Sequence, residues 1–281
     1  MKKIFYAIYY FFEDFCQRST TIVARFLANN TNQRIKNLLI NIFLQKFEVN
    51  MRDATIEDPF SYKSFNDFFT RSLKPTARII DQSNSVIVSP VDGTISESGK
   101  ILNTQLFQAK GIYYELSALL NHKEQEKTYQ NGSFVTIYLA PTDYHRIHLP
   151  YTAELISMSY VPGRLYPVKP EKVATVSSIF AINERLICNF NSSFGKFSLV
   201  MVGAQLVSGL ETVWHGPIKE NKPKTWDYKG QQLIFNKGQE IGRFNFGSTV
   251  VLCFEKQVHL LPKTTKQRKV LLGNPIANIN K

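Results

Sequence analysis

The sequence GSTVVLCFE, residues 247–255, gives the clearest indication of the architecture. Its run of β-branched and apolar residues behind a single glycine is typical of a β-strand. Other short apolar runs in the chain end at proline or glycine, which do not continue a strand interior. They are FVTIYLAP (134–141), LISMSYVPG (155–163) and FGKFSLVMVG (194–203). We therefore predict a mostly β core from about Val86 onward.

The N-terminal part of the chain has a different pattern, because its apolar positions recur with a helical period. The best example is the set Ile35, Leu38, Leu39, Ile42 and Phe43, spaced i, i+3, i+4, i+7 and i+8. This spacing gives a helix one apolar face. We therefore predict an α+β protein, with a helical region over residues 1–50 and a β-rich domain over residues 51–281.

The apolar run Ile4–Phe12 follows two lysines and is too short to cross a bilayer. In a helix it rises about 13 Å, against a hydrocarbon thickness of about 30 Å. No small-x-small cleavage pattern follows it, which disfavours an export signal. Tyr and Phe beside Lys and Arg favour a helix at the membrane surface. A helical hairpin that packs on the rest of the domain fits the same pattern.

The composition excludes several classes of protein. The chain has 281 residues, 43% of them apolar, and this content excludes disorder and a disulfide-stapled miniprotein. Its net charge of +12 favours an anionic partner, either a lipid surface or a nucleic acid. The three cysteines are far apart and form no CxxC pair, so we expect neither a disulfide framework nor a cysteine zinc site.

Two histidines lie close together in PTDYHRIHLP, residues 141–150. If this segment forms a helical turn, His145 and His148 share a face, and Asp143 is close enough to orient an imidazole. General acid/base catalysis, metal binding and a hydrogen-bonded structural pair are all compatible with this pattern. A zinc site would need further ligands, and the other histidines have no obvious metal-binding neighbours, so we expect no metal.

Two further segments are candidate functional sites because of their local sequence. SPVDG, residues 89–93, has Asp92-Gly93 between two β-like runs, which is typical of a tight hairpin turn. Gly247-Ser248-Thr249 stands at the head of the strongest β run. The run 197–214 is most simply a buried strand pair with a bend at glycine.

Taken together and in order, these segments resemble the phosphatidylserine decarboxylase family of the bacterial and mitochondrial type. The matching motifs are FFTRSLKPTAR (68–78), SPVDG (89–93), APTDYHRIHLP (140–150), VPGRLYPV (161–168), NERLI (183–187), VGAQLVSGLETVW (202–214) and KGQEIGRFNFGSTVV (237–251). The resemblance extends from about residue 64 to 275. It implies an antiparallel core that is barrel-like or sandwich-like.

The resemblance also implies the chemistry. Loss of CO₂ from an amino acid requires an electron sink, and the sequence has neither a Walker pattern nor GxGxxG to hold a phosphate-bearing cofactor. In this family the chain cleaves itself between Gly247 and Ser248, and Ser248 becomes a pyruvoyl group that forms a Schiff base with the substrate amine. The products are a large chain, residues 1–247, and a small pyruvoyl chain, residues 248–281. Phe246 replaces the leucine of the family motif.

The family motifs assign roles to individual residues. Asp92, His148 and Ser248 form a relay for self-cleavage, in which a base activates the weak serine nucleophile. His145 acts on the substrate side, by holding the serine carboxylate or by supplying the proton that quenches the carbanion. Asp143 orients an imidazole. The segment VSG, residues 207–209, departs from the family pattern, and we assign no catalytic role to Ser208.

A phospholipid substrate implies a membrane location. We expect a peripheral enzyme on the cytoplasmic face of the inner membrane that decarboxylates phosphatidylserine to phosphatidylethanolamine for phospholipid biosynthesis. Its expected partners are anionic membrane lipid, its own two chains as a heterodimer, and a second processed pair as a homodimer. No nucleic acid is expected.

Two other hypotheses come from different classes of protein. A Ser/His/Asp lipid hydrolase would use the same three residues in an intact chain, but the sequence lacks its GxSxG elbow. A basic β domain for nucleic acid fits the net charge, but its basic residues are dispersed and no RNP-like aromatic motif is present.

Overall fold

The computed structural model describes residues 23–204, 209–245, 248–261 and 267–279. The helices are α1 (Gln33–Lys46), α2 (Phe65–Phe69), α3 (Leu116–Leu120), α4 (Lys123–Tyr129), α5 (Pro170–Val173) and α6 (Ile179–Ile182), with a 3₁₀ turn at Pro59–Ser61. Residues 23–28 are also helical.

Strands make up most of the remainder. They are β1 (Val86–Val88), β2 (Gly93–Lys100), β3 (Gln105–Ala109), β4 (Ile112–Glu115), β5 (Ser133–Leu139), β6 (Arg146–His148), β7 (Ala153–Val161), β8 (Arg185–Ser192), β9 (Gly195–Val202), β10 (Leu210–Thr212), β11 (Gly216–Pro217), β12 (Lys224–Asp227), β13 (Ile234–Phe235), β14 (Glu240–Phe244), β15 (Ser248–Phe254), β16 (His259–Leu260), β17 (Arg268–Val270) and β18 (Pro275–Asn278).

The strands form one large sheet and three small ones. The large sheet has nine strands in the order β12-β7-β8-β9-β15-β5-β2-β17, with β13 also paired to β7. The others are β11-β10-β14-β6, β1-β18-β16 and the hairpin β3-β4. The prediction of an α+β protein with a mostly antiparallel core is confirmed. Among the described strands the large sheet has two different edges and does not close on itself.

The predicted strand behind Gly247 is β15, which lies in the middle of the large sheet. It pairs antiparallel with β9 on one side and β5 on the other. Val250 and Leu252 belong to one hydrophobic cluster, whereas Val251 and Cys253 belong to a second cluster on the opposite face. The successive apolar residues 250–254 therefore bury this part of the strand on both faces of the sheet.

The predicted hairpin at SPVDG is wrong, although a strand does precede and follow it. β1 pairs with β18 near the C-terminus, and β2 pairs with β5 and β17. Gly93 serves a close approach between strands, since a Cβ there would lie 2.5 Å from the carbonyl oxygen of Tyr138. The local turn chemistry was identified correctly, but the strand partners lie far away in sequence.

The predicted helical turn that joins the two histidines is also wrong. Residues 146–148 form strand β6, which pairs with β14. Successive residues of a strand point to opposite faces, so His145 and His148 do not share a face as they would in a helix.

The N-terminal helices form an aromatic layer with its own small core. Asn32 caps α1 by accepting hydrogen bonds from the main chain of Arg34 and Ile35. The ring of Phe43 packs edge-on against α2, with its centroid 5.4 Å from that of Phe65. Ser64 caps α2, since its side chain accepts a hydrogen bond from the main chain of Asp67. One face of α1 therefore packs against α2.

The opposite side of this N-terminal layer leaves apolar side chains in solvent. Phe26 is 71% exposed, Leu38 59% and Ile42 52%. Within the described residues, no helix is long and apolar enough to cross a membrane. The run Ile4–Phe12 lies outside the described residues.

Candidate active site

The main chain of Ser248 lies at the start of β15, where two sheets meet. Ser248 pairs with Leu139, the last residue of β5. The segment that carries the histidines begins directly after Leu139 and runs into β6, which pairs with β14, the strand preceding Ser248. The fold therefore brings the histidine motif and the Gly-Ser motif to the same end of β15. Gly247 and residues 205–208 lie outside the described residues.

His145 is completely buried and has one unused ring nitrogen. Its Nδ1 lies 2.8 Å from the main-chain oxygen of Asp143. A carbonyl oxygen only accepts, so Nδ1 carries the proton and Nε2 is the acceptor of a neutral ring. Nε2 is buried and has no hydrogen-bond partner. Burial lowers the pKa of His145 to about 3, which keeps the ring neutral.

His145 is fixed from two further directions. The ring of Phe69 in α2 packs against its ring, with the centroids 4.2 Å apart. Its main-chain oxygen accepts a hydrogen bond from the N–H of Phe244 over 3.0 Å. These contacts tie the imidazole to both the aromatic layer and the strand that precedes the Gly-Ser motif.

His148 has the same tautomer, but both of its ring nitrogens have partners. Nδ1 lies 2.8 Å from the main-chain oxygen of Gly238, and Nε2 lies 3.0 Å from the hydroxyl of Tyr144. Tyr144 therefore donates to Nε2. Burial lowers the pKa of His148, although the hydrogen bond to Gly238 and the nearby carboxylates of Glu240 and Asp92 oppose that shift.

Asp143 contributes to the site mainly through its main chain. Its carbonyl oxygen holds His145, whereas its carboxylate accepts a hydrogen bond from the N–H of Ala140 over 2.8 Å. Burial raises the pKa of the Asp143 carboxyl group. The predicted orienting effect on an imidazole is therefore present, but it comes from the peptide oxygen.

Asp92 is buried and bound by an arginine. Nε of Arg78 donates to its Oδ1 over 3.0 Å, and the N–H of Leu272 donates to the same oxygen over 2.8 Å. The hydrogen bond to Asp92 is the main cause of the raised pKa of Arg78, which also bonds Asp53. Because both His148 ring nitrogens have other partners, Asp92 and His148 are not hydrogen-bonded to each other. The relay among Asp92, His148 and Ser248 stays a prediction.

The sequence analysis missed three residues of this neighbourhood. Arg78 fixes Asp92, Tyr144 caps His148, and Arg71 donates to the main-chain oxygen of Thr142. Arg71 and Arg78 both belong to the motif FFTRSLKPTAR, but no local pattern sets them apart from the other basic residues. Among the residues that the structure describes, no group of three or more His, Cys, Asp or Glu side chains is arranged to hold a metal ion.

Comparison with known proteins agrees with this arrangement. The family model described as phosphatidylserine decarboxylase matches residues 65–278. A phosphatidylserine decarboxylase proenzyme of Legionella pneumophila is 45% identical over 265 residues, which cover 92% of this chain and 93% of the relative. The proenzyme of Stenotrophomonas maltophilia is 42% identical over 266 residues, covering 93% and 95%. The proenzyme of Methylobacillus flagellatus is 44% identical over 263 residues, covering 92% and 93%.

These matches define the chain as an enzyme of the carboxy-lyase class. It belongs to the phosphatidylserine decarboxylase family, as the order of its motifs predicted.

Proposed function

We propose that this enzyme decarboxylates phosphatidylserine to phosphatidylethanolamine, using a pyruvoyl group that it makes from Ser248. Membership of the family supports the substrate and the reaction. The relatives are named proenzymes, which agrees with a precursor that must be converted before it acts. The observation that carries the proposal is the pairing of Ser248 with Leu139, because the segment with the two histidines begins directly after Leu139.

The position of the scissile bond fits a cleavage that leaves the fold intact. β14 belongs to the four-stranded sheet and β15 to the nine-stranded sheet, so the bond between residues 247 and 248 lies in the connection between two sheets. Breaking it interrupts no strand ladder. β15 stays paired with β5 and β9, which keeps the small chain bound to the large one as a heterodimer.

Self-cleavage proceeds by attack of the Ser248 hydroxyl oxygen on the Gly247 carbonyl carbon, which replaces the amide by an ester. Elimination then breaks the ester C–O bond, and Gly247 leaves as a carboxylate. Water adds to the resulting dehydroalanine and ammonia departs, which leaves the pyruvoyl group at position 248. His148 takes the proton, because its Nε2 is the acceptor nitrogen of a neutral ring.

The other residues hold this base in place and complete the site. Tyr144 must release Nε2 of His148 or pass the proton through its own hydroxyl. Asp92 adds a negative charge near the imidazole, and Arg78 keeps that carboxylate fixed. His145 presents an unused Nε2 at the same end of the sheet and acts on the substrate. The pyruvoyl carbonyl supplies the electron sink that no side chain provides.

The exposed apolar side chains of the N-terminal layer support membrane docking. Phe26, Leu38 and Ile42 are more than half exposed, and Arg25 and Arg34 lie beside them in the chain. Aromatic and aliphatic side chains enter the edge of the apolar phase, while each nearby basic residue contributes about 1 kcal/mol on an anionic surface. The enzyme is then peripheral on the cytoplasmic face of the inner membrane. As the family resemblance implies, two processed pairs associate as a homodimer.

The decisive experiment combines mass spectrometry with a trapping reaction. Purified wild-type protein should give two masses under denaturing conditions, for residues 1–247 and 248–281, and borohydride with phosphatidylserine should attach the substrate to the smaller one. Ser248→Ala should give one inactive chain of full mass. An active wild-type protein with one uncut chain would overturn the proposal and favour the lipid hydrolase.

Membrane docking has its own test. Deletion of residues 1–45 should abolish binding to anionic liposomes, while cleavage between residues 247 and 248 persists. If the shortened protein still binds liposomes, the proposed anchor is wrong, but the proposed reaction is unaffected.

A further inference from the structure

Arg71 is a buried cation whose hydrogen-bonding capacity is mostly unused. It follows α2, and only 3% of the residue is exposed. Nη2 donates to the main-chain oxygen of Thr142 over 3.0 Å. Nε and Nη1 are buried and have no hydrogen-bond partner. Since Nε carries one N–H group and Nη1 two, most of the donors of this guanidinium have no acceptor.

Arg185 shows how the same fold satisfies a buried arginine that has a structural role. It is also only 3% exposed. Its Nε, Nη1 and Nη2 donate to the main-chain oxygens of Leu119, Asn183 and Ala118 over 2.7, 3.0 and 2.6 Å. Every nitrogen of Arg185 has a partner, whereas two of the three in Arg71 have none. A buried cation without partners is costly unless a ligand supplies them.

The position of Arg71 connects it to the reaction centre. Its contact residue Thr142 lies three residues beyond Leu139, which pairs with Ser248. The main chain between Leu139 and Thr142 therefore spans at most roughly 10 Å. His145, with its own unused Nε2, belongs to the same segment. None of the salt bridges in the described part of the chain involves Arg71, so its charge is not neutralised by a direct carboxylate contact.

The unused donors call for an anion, and a serine phospholipid carries two. One is the carboxylate, which loses its charge as CO₂ departs. A fixed cation on the carboxylate would stabilise the bound substrate more than the transition state and so slow the reaction. The other is the phosphodiester, whose charge is the same throughout. An arginine on the phosphodiester holds the headgroup without opposing the chemistry, and guanidinium N–H groups match phosphate oxygens well.

We propose that Arg71 binds the phosphodiester of the serine phospholipid and thereby selects phospholipid-linked serine over other serine derivatives. This inference rests on the proposed function. Only a few bonds separate the amine of a serine headgroup from its phosphorus atom. Arg71 therefore holds one end of the headgroup, while the amine reaches residue 248.

The test compares two substrates on processed Arg71→Gln enzyme. One is phosphatidylserine in detergent micelles, and the other is an O-alkylserine, which keeps the amine and carboxylate but has no phosphate. For phosphatidylserine the substitution should raise KM on the order of 10- to 100-fold, with a smaller change in kcat. For the O-alkylserine, kcat/KM should stay close to that of the wild type.

Arg185→Gln is the matched control, because it removes a buried arginine of equal exposure that lies outside the site. It should lower stability, while the folded fraction keeps the wild-type KM for both substrates. If Arg71→Gln lowers kcat/KM equally for both substrates, or leaves KM unchanged, the proposal is wrong.

A second variant covers the case in which Arg71→Gln fails to process. Arg71→Lys keeps the charge but loses the fork of donors, so a smaller loss confined to phosphatidylserine is expected. Equal losses on the two substrates overturn the proposal there too. Failure of the wild type to decarboxylate phosphatidylserine would instead overturn the proposed function, so the two failures are distinguishable.

Discussion

Two regions of the molecule depart from ordinary burial, and they do so in opposite ways. One is the end of the sheet around Ser248, and the other is the N-terminal helical layer. The sheet end buries polar atoms that have no partner, such as Nε2 of His145 and Nε of Arg71. The helical layer leaves Phe26 and Ile42 in solvent. Buried polar groups and exposed apolar groups are the informative exceptions to the burial rule. Under the proposed function one lipid substrate accounts for both, since its headgroup is polar and the membrane that holds it is apolar.

The largest effect is expected for His148, the proposed base at the end of the sheet around Ser248. His148→Gln should stop cleavage between residues 247 and 248 and thereby remove all decarboxylation, because the hydroxyl of Ser248 loses its proton acceptor. A loss of 10²-fold or more in the rate of chain cleavage is expected. Denaturing electrophoresis over time measures it. Tyr144→Phe is the matched variant, and it should still cleave because it leaves Nε2 available.

His145→Gln separates the roles of the two histidines. We expect it to cleave to completion, because His145 is assigned to the substrate, and then to decarboxylate on the order of 10²-fold more slowly or worse. Cleavage is measured by mass and activity by release of CO₂. An uncut His145→Gln chain that is properly folded would show that the two roles are wrongly divided.

Membrane docking through the exposed apolar side chains is tested on α1. Ile42→Asp should weaken binding to anionic vesicles by about tenfold or more, since one exposed aliphatic side chain no longer enters the lipid. Asn41→Asp introduces the same charge at the neighbouring exposed position without removing apolar surface. Vesicle sedimentation should separate the two variants. Equal weakening by both would mean that charge, not apolar contact, drives the docking.

The last prediction concerns stability against pH. His145 has a pKa of about 3 in the folded protein against 6.5 as its ordinary value, so the unfolded chain binds a proton that the folded chain refuses. This group therefore costs stability as pH falls below 6.5, by up to about 1.4 kcal/mol per pH unit down to about 3. Urea unfolding of uncut Ser248→Ala, with and without His145→Gln, should show a shallower acid loss in the double variant. Parallel curves would contradict neutral burial of His145.

Much of the fold could be predicted because it depends on local pattern. The apolar runs become β5, β7, β9 and β15, and the spacing of residues 35–43 becomes α1. Strand pairing could not be predicted, since β1 finds its partner in β18 near the other end of the chain. A shared face for His145 and His148 required a helical turn, yet residues 146–148 pair with β14 and form a strand.

The site was predicted in its residues but not in its contacts. Asp92, His145 and His148 were found because their motifs are distinctive. Arg71 and Arg78 were not, because among 34 basic residues nothing local marks the few that are buried. Arg71 and Arg78 have their roles because the fold buries them, and a buried charge needs a specific partner.

If the chain is cleaved as proposed, the hydrogen bond from Leu272 to Asp92 joins the small chain to the large one. In the uncut precursor it is an intramolecular contact. After cleavage it connects separate molecules, as do the ladders of β15, β17 and β18 with β5, β2 and β1. Refolding of the mature enzyme then requires two fragments to meet and becomes dependent on concentration. The precursor folds once with its ends tethered, and the cut enzyme preserves a structure that dilute fragments would regain only slowly.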